Sequence, residues 1–511
     1  MKLYRNLLLA VLFVLPLSLQ SQHTEPVDLE MVNKIKNEAI NNSNIRDMAF
    51  YLTDVIGPRL SGSTGLQNAY EWTSEQMKEM GLENVEIAPW GEFGRGWDNE
   101  KFYIAMTEPY YQHLIGMPQA WSRGTDGFIE TEPVLVEINN EEDIENYRGK
   151  LEGKVVVTPV TSEPELQEDS YVHRYDSEDL EELKMLPRVS GPSYGRGPSR
   201  DNTEALRQRA LRQKVNNFFE EEGVAAVLAS GGTFGTVRAH GRGYSMDSEP
   251  GLARITLTFE HYGRIVRLLE EGKDVSLELE VENRFHEEDT KGYNVIGEIP
   301  GTDRRLRDEV VMIGAHLDSW HGGGGNDNGA GVVLMMEVMR ILKELEIEPR
   351  RTIRVALWGA EEQGLHGSRN YVAEYFYDLS NGEKKDDFDN LSAYFNVDNG
   401  SGLIRGIWLM GNDEARPIFE QLLAPFEDMD AGTVTLRRTG GTDHLAFSRA
   451  GLPGFNMLQD RLDYWRGYHS NMDTFERMQL GNLMQGAAVV TSLVYHVAQR
   501  DEKIPRVDFD H

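Results

Sequence analysis

The hydrophobic pattern changes twice along the chain. Near the start it is helical: Met31, Ile35, Ala39 and Ile40 share one face, and a second helix is predicted over 65–80. Gly81 stops that helix, and Val85-Glu86-Ile87 predicts a strand. Between the two helices runs a turn-rich loop, Gly57-Pro58-Arg59-Leu60-Ser61-Gly62-Ser63. From about residue 126 to 285, apolar strand candidates recur at 134–138, 154–160, 224–229, 254–259 and 275–281. Helical patterns over 205–222 and 260–272 separate some of them. Residues 162–200 are acidic, contain Pro and Gly, and lack periodicity; a stretch that long predicts a surface insertion or lid.

Beyond residue 285, strand and helix alternate. Residues 310–315 form a continuous apolar strand, 329–345 an apolar-rich helix, and 352–357, 391–397 and 407–410 further strands. Helices are predicted at 366–376 and 413–423. The alternation predicts an α/β fold with a mixed, mostly parallel central sheet flanked by helices. Ligands in such folds collect at the carboxyl ends of the strands.

Composition narrows the partners. With 52 Lys+Arg against 84 Asp+Glu the net charge is −32, which repels phosphate backbones and excludes nucleic acid as a partner. The absence of cysteine excludes disulfides, thiolate zinc sites and cysteine nucleophiles. Lys2 and Arg5 precede an apolar run over 7–19, shorter than the ~20 residues that span a bilayer. Residues 1–20 therefore predict a signal peptide, an exported (periplasmic or extracellular) protein, and no membrane span once it is removed.

The strand ends carry the chemistry. Strand 310–315 runs into His316-Leu317-Asp318, where an imidazole can ligate metal and a carboxylate two residues on can fix its tautomer. A glycine run follows, His321-Gly322-Gly323-Gly324-Gly325-Asn326-Asp327, without the lysine or spacing of a phosphate loop. It predicts a backbone bend that points Asp327 back toward His316. Strand 352–357 ends at Glu361-Glu362, where one carboxylate can bind metal while its neighbour stays free as a base. Strand 391–397 ends at Asp398, and Tyr468-His469 precedes the last long helix. His316, Asp327, Glu362, Asp398 and His469 are all nitrogen or oxygen donors, which suit zinc. A shared Asp327 gives each of two metals three protein ligands and an open position.

These residues resemble the M28 family of dinuclear zinc peptidases, and most closely its carboxypeptidase Q branch. The matching pieces are the 57–63 loop, Gly314-Ala315-His316-Leu317-Asp318-Ser319-Trp320 and Leu357-Trp358-Gly359-Ala360-Glu361-Glu362-Gln363-Gly364. Gly441-Thr442-Asp443, Ala450-Gly451-Leu452-Pro453-Gly454, His469-Ser470 and Asp473-Thr474 complete the set. The resemblance implies two zinc ions, one held by His316 and Asp398, the other by Glu362 and His469, with Asp327 bridging. It implies Glu361 as general base, Asp318 as the orienter of His316, and Tyr468 as an oxyanion donor in the aminopeptidase manner. Residues 126–285, with the acidic loop 162–200, resemble a protease-associated domain inserted between peptidase segments 27–125 and 286–511. The implied activity is exopeptidase cleavage of dipeptides or short peptides, carboxypeptidase or dipeptidase in direction, with aminopeptidase as the alternative. A homodimer stays open.

Three rival readings fit the residues less well. Gly191-Pro192-Ser193-Tyr194-Gly195 fits G-x-S-x-G, but its serine follows an acidic loop instead of a strand. A glutaminyl-cyclase-like acyltransferase on this fold works with one zinc. A non-catalytic binding protein is expected to have lost a ligand or Glu361, and all are present.

Overall fold

Every position of the strand Val310–His316 is buried, and its alternate side chains feed two cores. Val311, Ile313 and Ala315 join residues of the helices Leu29–Asn41, Ala330–Glu344 and Leu480–Gln499. Val310 and Met312 join Trp358, Tyr371, Tyr394 and Phe447 in a separate cluster. A strand apolar on both faces needs cover on both sides, and the flanking helices supply it. The computed structural model describes residues 25–185 and 203–507; the predicted signal peptide and the G-x-S-x-G serine lie outside them. No helix among the described residues is long and apolar enough to cross a membrane.

The main sheet has eight strands: β1 Glu83–Glu92, β2 Lys291–Ile299, β3 Val310–His316, β4 Thr352–Trp358, β5 Leu391–Asn396, β6 Ile404–Trp408, β7 Thr433–Thr435 and β8 Gly454–Gln459. Their spatial order is β1-β2-β4-β3-β5-β8-β6-β7. The middle four, β4, β3, β5 and β8, run parallel. Antiparallel pairings join β1 to β2, β2 to β4 and β6 to β8. The fold is thus the mixed, mostly parallel α/β sheet that the apolar runs predict. Register sets up the chemistry, because His316 sits opposite Trp358 and the chains leaving β3 and β4 start side by side.

Two smaller sheets lie between residues 96 and 286. In one, Gly96–Glu108 pairs with Ser276–His286, so the strands that lead into and out of this region lie together. The other has five strands, of which Pro133–Leu135, Val155–Val157, Ala226–Ser230 and Arg254–Leu257 are parallel neighbours. Part of the acidic segment is ordered against the main domain. His173 and Leu462 exchange two backbone hydrogen bonds of 3.0 and 2.8 Å, and helix Ser177–Lys184 begins with a capping box from Asp176 and Asp179.

Two strands escape the periodicity. Gly96–Glu108 carries Asp98-Asn99-Glu100-Lys101 near its start, which breaks the alternation. Within β2, Gly292 and Gly297 dilute the apolar signal. Gly292 is needed there, since a Cβ would meet Trp90 Cζ2 at 1.8 Å.

Candidate metal centre

The loops at the carboxyl ends of β3, β4 and β5 converge. His316 ends β3, Glu361 and Glu362 lie just beyond β4, and Asp398 just beyond β5. Asp327 reaches the same point because the glycine run folds against residues 470–474. A Cβ on Gly323 would meet the Asp473 carbonyl oxygen at 2.3 Å, and Gly324 adopts φ +135°. Such close approach and such a dihedral are open to glycine alone. Asp473 closes the turn: its carboxylate accepts from the Asn326 N–H at 2.6 Å and the Asp327 N–H at 3.0 Å.

Asp327 stands between two histidines. Its Oδ1 is 3.3 Å from His316 Nε2, and its Oδ2 is 3.1 Å from His469 Nε2. Asp398 Oδ2 lies on the His316 side at 3.6 Å, and Glu362 Oε2 on the His469 side at 2.8 Å. The five sequence-derived ligands are therefore together, in two groups with Asp327 common to both. His316 Nε2, Asp327 Oδ2 and Glu362 Oε1 are buried, yet none makes a hydrogen bond. Buried polar atoms without partners are costly in a folded protein. Donor atoms of His316, Asp327 and Glu362 all lie within 4.8 Å of one another, a span that one divalent ion can bridge. The donor set therefore fits zinc.

Asp318 faces His316 with its backbone carbonyl nearer than its carboxylate. His316 Nδ1 contacts the Asp318 backbone carbonyl oxygen at 2.9 Å, while the carboxylate stands off at 3.7 Å. That carbonyl fixes the tautomer and leaves Nε2 as the free ligand atom. The Asp318 carboxylate also accepts from the N–H groups of Glu361 at 3.0 Å and Glu362 at 3.2 Å, and from the Ser61 hydroxyl at 3.2 Å. It thereby holds the base candidate and its neighbour in place.

The electrostatics follow from crowding acids in a dry pocket. Burial, reinforced by Asp398, Asp443 and Glu362, drives Glu361 well above the usual carboxylate range, against the pull of His316. Burial and Asp327 raise Glu362 to about 7. Burial opposes the cationic form of His469, but the facing carboxylates of Asp327 and Glu362 outweigh it and lift the imidazole to about 9. Burial likewise works against the His316 cation, and Asp398 and Glu361 overcome it. A site in which carboxylates and imidazoles compete for protons is one that a divalent cation can relieve. Tyr468 stacks on His469 with ring centres 3.5 Å apart, its hydroxyl pushed far up by burial and by Asp327.

Several contributors had no assigned role in the sequence reading. The Arg59 guanidinium is fully buried and donates to the carbonyl oxygens of Leu317 (2.7 Å), Gly57 (3.1 Å) and Gly324 (2.8 Å), tying both ends of the glycine loop. Asp443 is fully buried with neither carboxylate oxygen hydrogen-bonded, and burial raises it to about 7. From the five-stranded region, the Ala239 N–H donates to the His469 carbonyl at 2.6 Å. Val237 and Asn471 exchange two further bonds, of 3.0 and 3.1 Å. The motifs around Arg59, Asp443 and Asp473 were visible; the backbone link to residue 239 has no sequence signature.

Residues 294–494, which hold this buried histidine–carboxylate cluster on the rim of the mixed sheet, match Peptidase family M28, so the chain carries that peptidase domain. Among its relatives is carboxypeptidase Q of Pongo abelii, 28% identical over 459 residues, an alignment covering 89% of this chain and 85% of that one. The fold is shared with a peptidase M28 precursor from Shewanella amazonensis (TM-score 0.63, 23% identity, 93% of this chain and 98% of that one). It is shared too with BSAP, a zinc aminopeptidase from Bacillus subtilis (TM-score 0.53, 18% identity, 90% and 96%).

Proposed function

We propose that the protein is an exported exopeptidase that cleaves dipeptides or short peptides at a centre of two zinc ions. In this reading His316 and Asp398 hold one ion, Glu362 and His469 the other, and Asp327 bridges. The observation that carries it is the pair of Asp327 oxygens, one facing His316 at 3.3 Å and the other His469 at 3.1 Å. Bound zinc supplies Lewis acidity, polarising the scissile carbonyl and acidifying water. Glu361 takes the proton of the attacking water on its carboxylate and passes it to the leaving nitrogen. Asp318 keeps Glu361 in position through the Glu361 N–H. The Tyr468 hydroxyl, kept protonated by burial, donates to the oxyanion. Residues 126–285 are the inserted protease-associated domain, which braces the His469 loop through Ala239.

Carboxypeptidase or dipeptidase action is the favoured direction, in keeping with the carboxypeptidase Q similarity along most of the chain. Tyr468 beside His469 favours the aminopeptidase alternative. The test is hydrolysis of N-acetylated dipeptides and dipeptide amides by the zinc-loaded protein. Cleavage of the N-blocked series supports the carboxypeptidase direction. Cleavage of the amides alone assigns an aminopeptidase, and cleavage of neither them nor free dipeptides overturns the exopeptidase reading.

A further inference from the structure

The acidic segment, expected as a surface insertion or lid, lies against the loop that carries His469. That loop leaves β8 at Asp460, passes Leu462 and the short helix Tyr464–Gly467, and reaches Tyr468 and His469. Two of its residues other than glycine have left-handed backbones, Leu462 at φ +47° and His469 at φ +55°. Such conformations are strained for a residue with a side chain and persist only where neighbours hold them. Both are held by residues of the region 126–285. The His173 N–H donates to the Leu462 carbonyl at 3.0 Å, and the Leu462 N–H to the His173 carbonyl at 2.8 Å. The Ala239 N–H donates to the His469 carbonyl at 2.6 Å.

The grip on Leu462 is reinforced on both sides. Asp460 is fully buried, and its carboxylate accepts from the Tyr175 N–H at 2.9 Å and from Arg405 at 3.1 Å. The same guanidinium donates to the Tyr175 carbonyl at 3.0 Å. A buried carboxylate is costly without its donors, so Asp460 draws the acidic segment inward. Further along, helix Ser177–Lys184 is fixed to the edge strand β7. Its buried Leu183 presents a carbonyl to the Thr435 hydroxyl, and the Glu182 carboxylate meets Arg437 at 3.1 Å. Ahead of His173, the Arg466 guanidinium lies over the Tyr171 ring at 4.8 Å. Past Leu462 the chain soon reaches the site: the Tyr468 N–H donates to the Tyr464 carbonyl at 2.8 Å, and the two rings lie 5.4 Å apart.

We propose that residues 171–184 are a strap that positions Tyr468 and His469: by locking Leu462 in its left-handed conformation, they fix the loop on which His469 presents Nε2 to the metal. The proposal rests on the reading of His469 as a zinc ligand. Its test is His173→Pro, which removes the N–H that reaches Leu462 and leaves every residue of the His469 loop unaltered. In the full-length, metal-free chain, hydrogen exchange over 461–470 is expected to rise about tenfold while that of 310–316 stays unchanged. Zinc affinity is expected to fall about tenfold, as is usual when the support of a metal ligand is lost, with kcat recovering at saturating zinc. His173→Ala keeps the backbone bonds and is expected to behave as the unaltered chain. Should His173→Pro also loosen 310–316, Arg405→Gln takes its place, because it frees Asp460 and the Tyr175 carbonyl without changing the strap; the same readouts apply. Unchanged exchange over 461–470, or faster exchange there with zinc affinity intact, overturns the proposal. Absence of zinc binding in the unaltered chain would overturn the zinc reading, and exchange over 461–470 would still decide whether the strap holds the loop.

Discussion

The main sheet and the five-stranded sheet both end a run of parallel strands at a rim, and the two rims differ in how their polar groups are satisfied. In the smaller sheet the rim opens on a cavity of about 560 Å³ that includes Thr158, Arg254 and Tyr262. Its polar groups are paired: the Tyr262 hydroxyl bonds the Thr158 N–H at 2.9 Å and the Thr158 carbonyl at 2.7 Å, and Arg254 donates to Asn216 at 2.6 Å. On the main rim, His316 Nε2, Asp327 Oδ2, Glu362 Oε1 and both Asp443 oxygens have no hydrogen-bond partner. Topology supplies both rims; unpaired donors mark the one built around an ion.

The contrast can be broken most severely at Asp327. Asp327→Ala should abolish hydrolysis and lower zinc content more than loss of any single outer ligand, because it removes the group placed between both histidines and, with the two ions proposed, would leave them poorly screened. Metal analysis beside a peptide assay checks this; full metal and near-normal turnover would remove Asp327 from the bridge. Next in size is the division between the adjacent glutamates. Glu361→Gln cannot accept a proton, so turnover should drop ~10²–10⁴-fold with zinc retained. Glu362→Gln should instead lose zinc, with partial recovery in excess metal. Metal loss in the first variant and full loading in the second would reverse the roles. The smallest effect belongs to the other rim. Arg254→Gln, in a cavity apart from the metal centre, should leave kcat/KM within about twofold. A loss as large as that of Glu362→Gln would mean that the second rim also takes part in the chemistry.

The same contrast explains what the sequence makes legible. The strands of the main sheet are continuous apolar runs, and the residues that follow them are acids and histidines at places where a soluble loop needs none. His316, Glu361, Glu362 and Asp398 can therefore be read as a rim, and the glycines before Asp327 as a bend. The function of the Asp318 carboxylate was not legible, because its partners are N–H groups 43 and 44 residues away. Arg59 contributes through carbonyl oxygens of Leu317 and Gly324, which any residue types would present. Strands Gly96–Glu108 and β2 are hidden for another reason: charged residues or glycines interrupt their alternation, and their stability comes from pairing with remote partners.

The central claim is that the main rim holds two ions. Its most direct test is elemental analysis of the dialysed full-length protein after titration to saturation with zinc, followed by removal of unbound metal. Two zinc ions per chain are expected, with hydrolysis lost on chelation and restored on reloading. One ion per chain at saturation, or hydrolysis that persists after complete chelation, would contradict it.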